Sequence, residues 1–138
     1  MSIKVALRPG KTEILFRTYL LLSMGGIGGP VVSRNPGEDD RGEQWIRIQA
    51  MPYRQLNEIE FENPAMVHVY DTDEERALES IDLVGAHILA AKQIHVGDRW
   101  VSDSGIDIGY TKLDDPDLVE YTRYQLAGYF VTKGQPLE

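Results

Sequence analysis

Pro64-Ala-Met-Val-His-Val-Tyr70, followed by Asp71-Thr72 and then Asp73 to about Lys92, is the stretch that decides the fold. It reads as a buried strand, a tight turn and a long helix. Met66, Val67, Val69 and Tyr70 supply the apolar, β-forming chemistry, and Pro64 takes the first strand position, where a missing N–H is harmless. Thr72 is the expected helix N-cap, and Glu75 three residues on completes a Thr-x-x-Glu capping box. Asp73, Glu74 and Glu75 place negative charge on the first turn, where the helix dipole favours it.

The helix shows an apolar stripe of Ala77, Ile81, Val84 and Ile88, widened by Leu78 and Leu89, with Glu75, Glu79 and Asp82 opposite. Val84 to Ala91 is apolar or small nearly all round, which calls for cover on more than one side. In a domain this small, a second subunit is one source of that cover.

Working back towards the start, Ile3 to Leu7 is short and apolar, and Pro9-Gly10 breaks it. Thr12 is placed as the cap of a mostly buried helix from Glu13 to about Ser23, built on Ile14, Leu15, Phe16, Tyr19, Leu20, Leu21 and Leu22 and ended by Gly25-Gly26. The glycines at 25, 26, 28 and 29 have the wrong spacing for a phosphate loop, and no Lys-Ser/Thr follows them. They read as a flexible helix exit. Asn35-Pro36-Gly37 is a turn signal, followed by Glu38-Asp39-Asp40.

Gln44 to Met51 alternates Trp45, Arg47 and Gln49 against Ile46, Ile48 and Ala50, the pattern of a half-buried strand. Tyr53 to Asn63 suggests an extended edge segment. Beyond the central helix, Gln93 to Asp107 reads as a long connection and Ile106 to Tyr110 as a short strand. Leu113 to Asp117 is a turn, Glu120 to Lys133 an alternating strand, and Gly134 to Glu138 a short tail. Runs of strands with two helices imply one α+β domain over residues 1–138, with the helices packed against a mostly antiparallel sheet.

The chain carries 22 acidic against 14 basic residues, a net charge of −8, which argues against a basic nucleic-acid-binding surface. It has no cysteine, hence neither disulfide nor thiolate metal site. The start has no apolar h-region, and no apolar run is long enough to span a bilayer. His68, His87 and His95 lack a partner at i+3 or i+4 and read as core or interface residues, not metal ligands. Asp114, Asp115 and Asp117, with Asp103 and Asp107, do not follow the EF-hand pattern. Ser102 and Ser104 lie in no nucleophile elbow. Neither an enzyme activity nor a cofactor is expected.

Three segments in order resemble the tail terminator proteins of long-tailed bacteriophages. They are the helix with its Gly-rich exit (Thr12 to Gly29), the strand and long helix from Pro64 to Ala91, and the acidic turn leading into a Tyr-rich closing strand (Asp114 to Val131). Gln93 to Gly109 has no counterpart in that pattern. The resemblance implies a sheet flanked by helices, assembled as a hexameric ring that caps the head-proximal end of the tail tube. It implies contacts with the tube protein below and the head–tail connector or stopper above. The location implied is the virion, and the host cytoplasm during assembly. Genomic DNA would pass through the ring without specific binding, and no membrane is involved. Glu38, Asp39, Asp40, Glu58, Glu60 and Glu62 are the candidates for lumen or ring-face positions, and Trp100, Tyr110 and Tyr129 for subunit contacts. An inner wall of Arg41, Arg47, Arg54 and Arg99 would instead suit a neck protein that grips DNA. Two alternatives stay open. One is another neck or tail component, such as a head-completion protein or tube subunit. The other is a small α+β enzyme, which a pocket with converging carboxylates would favour.

Overall fold

The strand read at Pro64 to Tyr70 is the middle of a longer one. A computed structural model describes residues 7–136, and in it this strand, β5, runs Glu60–Asp71. Before it come β1 (Leu7–Arg8), α1 (Thr12–Met24), β2 (Val31–Val32), a 3-10 turn (Glu38–Asp40), β3 (Gln44–Ala50) and β4 (Arg54–Gln55). After it come α2 (Glu74–Ala90), β6 (Ile94–Val96), β7 (Arg99–Leu113), β8 (Thr122–Lys133) and β9 (Gln135–Pro136). The main sheet has the order β2-β3-β5-β8-β7-β6, with β4 also paired to β5. Every pairing is antiparallel except β2 with β3. The expected α+β class, with two helices on a mostly antiparallel sheet, is the one observed. The apolar Ile3–Leu7 segment falls outside the described residues except for Leu7, and the tail does so at residues 137–138. Within the rest of the tail, β9 pairs with β1.

Pro64 is therefore mid-strand, not first. Its carbonyl accepts from Met51 N at 2.9 Å, just past the end of β3. A residue's N–H and C=O leave an antiparallel strand on the same side. The donor that Pro64 lacks thus falls where β3 gives out, so no ladder bond is lost.

Both helices cover one face of the sheet. Phe16, Leu20 and Met24 of α1 and Ala77, Ile81, Val84 and Ile88 of α2 are buried against Ile46, Ile48, Val67, Val69, Leu126 and Phe130. Phe16 stacks on Phe130 with centroids 4.2 Å apart. The apolar stripe of α2 is narrower than expected: Leu78 and Leu89 are exposed. In α1, Ile14, Leu21 and Leu22 face outward, so the helix is one-sided and not mostly buried. Met66 is only half-buried, because the alternation of β5 points it to the opposite face.

Both helix starts differ from expectation. The N-cap of α2 is Asp73, whose carboxylate accepts from Arg76 N at 3.0 Å. Thr72 lies one residue before the cap, and its N–H goes to the Glu43 carbonyl at 3.0 Å in place of the Glu75 side chain that a capping box would use. The N-cap of α1 is Lys11, with no side-chain cap; Thr12 is buried in the first turn and its hydroxyl faces Asn63 Oδ1 at 3.3 Å. The Gly-rich exit is a packed turn, not a loose one. At Gly29, φ is +84° and a Cβ would fall 2.5 Å from the Gln44 carbonyl oxygen, so only glycine fits there.

The stretch from Gln93 to Asp107 is not a connection. It forms the β6–β7 hairpin and the first part of β7, a 15-residue strand with register shifts at 101/103, 106/108 and 108/111.

Asp71 closes β5 fully buried. It accepts from Asp73 N at 2.9 Å, from Arg76 Nε at 2.9 Å and from Arg76 Nη2 at 2.7 Å.

Two stability measurements check this account. Ile81 is fully buried, so Ile81→Ala is expected to cost ~2–5 kcal/mol; an unchanged melting temperature would show that the stripe faces solvent. Arg76→Ala strands a buried carboxylate. It is expected to lower stability measurably, by less than breaking a fully buried pair because water reaches the Arg76 side. A urea-unfolding loss under about 0.5 kcal/mol, the range of neutral surface changes, would rule out the Asp71–Arg76 pair as the joint of the fold.

Candidate functional site

Strand alternation gives the sheet a second face that neither helix covers. At one end Trp45, Tyr70 and Leu118 form a small separate core, with Val32 and Tyr121 packed against it. Trp45 stacks on Tyr70 at 4.8 Å, and its indole N–H donates to Asn35 Oδ1 at 3.0 Å. Trp45 is thus wholly buried, although β3 reads as a half-buried strand.

Beside that core lies a polar cluster. Register places Arg47 of β3 opposite His68 of β5, and His68 opposite Gln125 of β8. One pair along, Arg123 of β8 sits opposite Tyr70. Arg123 Nη2 donates to His68 Nδ1 at 3.2 Å. A guanidinium only donates, so Nδ1 accepts, and His68 Nε2 carries the proton that it gives to Gln49 Oε1 at 2.9 Å. Burial, with Arg47 and Arg123 nearby, lowers the His68 pKa to about 3. The ring is therefore neutral near pH 7. Arg47 makes one long bond, 3.5 Å to the Tyr70 hydroxyl, and Arg123 lies over the Tyr70 ring. The Nε atoms of both arginines are buried without a partner among the described residues.

The residues singled out from sequence do not form one patch. Glu58, Glu60, Glu62, Trp100 and Tyr129 lie towards the Glu60 end of β5. Glu38, Asp39 and Asp40 precede β3 at the Asp71 end, roughly 35 Å of strand away. Tyr110 belongs to the Asp71 end as well, edge-on to Tyr124. Glu60 accepts from Ser102 Oγ at 3.1 Å, and Glu62 pairs with Arg54 at 2.7 Å. Tyr129 crosses over Gly105, where a Cβ would collide with its ring. Its hydroxyl pKa is raised by burial and then by Asp103, Asp107 and Glu62. Trp100 meets His95 edge-on at 5.0 Å.

The four arginines considered for an inner wall are also scattered. Arg41 donates to the Pro36 carbonyl, Arg54 holds Glu62 and Arg99 donates to the Arg8 carbonyl. Only Arg47 lies in the open-face cluster.

A cleft of about 450 Å³ lies between the start of α1 and the β6–β7 turn, lined by Arg8, Lys11, Ile14, Arg99 and Thr132 among others. Asp98 is the one carboxylate in its lining, so converging acids are not found there. Among the described residues no three His, Asp or Glu side chains converge as a metal site would require, and no helix is long and apolar enough to cross a membrane.

Sequence reading missed the His68–Arg47–Arg123 cluster. Each member sits on the polar side of an alternating strand, and that signal is visible; their meeting depends on register.

No family model matches the chain, and no curated protein matches it. Among solved structures, its fold is similar to that of a chain described as "Virion of native gene transfer agent (GTA) particle". The TM-score is 0.53 at 8% identity, over 89% of this chain and 94% of that one.

The neutral histidine has a pH consequence. Its ordinary pKa of 6.5 falls to about 3 in the fold, so the neutral form is favoured there. The stabilisation it gives is complete above pH 6.5 and is lost as pH falls from there towards 3. The loss approaches ~1.4 kcal/mol per pH unit inside that window. Urea unfolding at pH 7, 5.5 and 4.5 should show a steeper acid loss in the parent than in His68→Gln. Equal slopes would show that His68 titrates freely.

Proposed function

We propose that this protein is a structural component of a phage-like virion, and within it the tail terminator. Copies form a ring, taken as six, on the head-proximal end of the tail tube. The ring ends tube growth, contacts the tube protein on one side and meets the head–tail connector on the other.

The observation that carries the reading is the likeness in fold to a virion chain along nearly the full length of both. The surface supports assembly. One sheet face has no helix over it and is covered only at its Trp45–Tyr70 end, by Leu118, Val32 and Tyr121. Beyond β6, which pairs only with Arg99–Val101, the outer edge of β7 has no strand partner among the described residues. That edge carries Ile108, 62% exposed, and Tyr110, 45% exposed. Leu89 and Ala90 leave the end of α2 apolar and open. Exposed apolar residues grouped on an edge and a helix end are what copies of a subunit would cover. Unlike surfaces meeting in rotation close a ring.

The acidic balance fits a channel that duplex DNA slides through. Each neutralised phosphate would add binding, and a chain of net charge −8 offers little of it. Glu58, Glu60 and Glu62 are proposed for the lumen or one ring face, and Glu38, Asp39 and Asp40, at the other end of the sheet, for the opposite ring face where neighbours meet.

Electron microscopy of intact particles tests the reading. A ring of this chain is expected at the junction of tail tube and head, with a net negative inner wall. The purified protein is expected to show no measurable duplex binding at low salt. Density along the whole tube would make it a tube subunit, and density inside the neck a head-completion protein. A monomer or dimer at the junction would end the ring reading.

A further inference from the structure

We propose that Arg47 and Arg123, on either side of His68 on the open sheet face, form an acceptor for carboxylates of a second copy of this chain, supplied by its Glu38-Asp39-Asp40 turn. The inference rests on the ring reading and gives it a specific contact.

Arg47 has no carboxylate within ion-pair distance among the described residues. Arg123 has a single long one, Asp115 at 3.9 Å. Both are partly buried, and a partly buried guanidinium without an anion is costly. Its fork geometry fits a carboxylate with two parallel bonds. His68, neutral and already bonded on both nitrogens, adds no third positive charge and holds Arg123 in place. Gln49 and Gln125 border the pair with further amide groups.

The chain also presents the complementary group. Glu38, Asp39 and Asp40 are exposed and make no ion pair among the described residues. Their turn is held by Asp40 N to the Gly37 carbonyl at 2.9 Å and by Arg41 Nε to the Pro36 carbonyl at 3.2 Å. It leads into β3 beside the edge of the sheet, where another copy has access. Acceptor and donor lie towards the same end of the sheet: Arg123 pairs with Tyr70, and β3 begins at Gln44 opposite Asp71. Rotation about a ring axis parallel to the strands would keep the two at equal height, which a contact between neighbours requires. Duplex phosphate is the less suitable anion. Two recessed cations on a chain of net charge −8 cannot offset the repulsion from a rod that dense in charge.

Charge reversal tests this on the full chain. Ring formation is scored by sedimentation across a concentration series and by ring density at the tail end of particles. Arg47→Glu is expected to lower association at least tenfold, as is Asp39→Arg/Asp40→Arg. All three changes in one chain should recover part of it, because the Arg47 contact is then reversed while Arg123 keeps its charge. Arg47→Gln, which keeps a polar side chain on the face, should show the loss with an unchanged melting temperature. Rings that form equally well with Arg47→Glu, or no rescue in the combined variant, overturn this inference and leave the ring reading standing. Duplex binding by the parent that Arg47→Glu abolishes overturns it in favour of phosphate. A parent that forms no ring in solution or in the particle overturns both.

Discussion

The carboxylate of Asp71 governs how the rest of the chain is laid out. It sits wholly buried at the last residue of the central strand and is claimed from two directions. The Asp73 N–H bends the chain off the sheet, and the Arg76 guanidinium grips it from the first turn of α2. A buried charge must be paired, so Asp71 favours a strand end and a helix exit that bring Arg76 onto it. Glu43 extends the joint: its carbonyl takes the Thr72 N–H and its carboxylate reaches Arg76 at 3.4 Å. Asp71, Arg76 and Glu43 together tie the start of β3, the end of β5 and α2, and α1 then closes over the same face.

Much of this was legible. The apolar run at Met66 to Tyr70 and the 3.6-residue stripe of α2 are strong periodic signals, and both hold. The cap was not, because Thr72 and Asp73 are both good cappers and the Thr72 N–H is held by Glu43, distant in sequence. β7 was hidden because Arg99-Trp-Val101 is followed by Ser102-Asp-Ser-Gly105, a turn-like run, with Gly105 required under the Tyr129 ring. α1 carries Ile14, Leu21 and Leu22 on its outer face as well as apolar residues on its inner one, so composition overstated its burial. Of the candidate site, the residue types were visible and their grouping was not. Arg47, His68 and Arg123 are brought side by side by pairings across β3, β5 and β8, which no local pattern encodes.

The sheet divides its two faces by chemistry. One is sealed with aliphatic and aromatic side chains under two helices. The other holds a stacked Trp45–Tyr70 pair at one end and hydrogen-bonded arginine, histidine and glutamine beside it. A polar, partly satisfied face can be wetted at little cost and still has bonds left to make.

The irregular register of β7 has a further consequence. Three register shifts along one strand break the even hydrogen-bond ladder that a neighbouring chain would need to add itself edge to edge. Flat, regular, apolar edges are the templates from which fibrils grow. Any folded chain with an open strand edge is exposed to that hazard. The bulged edge admits side-chain contacts while denying the backbone a repeat, so free copies of this chain are guarded against fibrous aggregation.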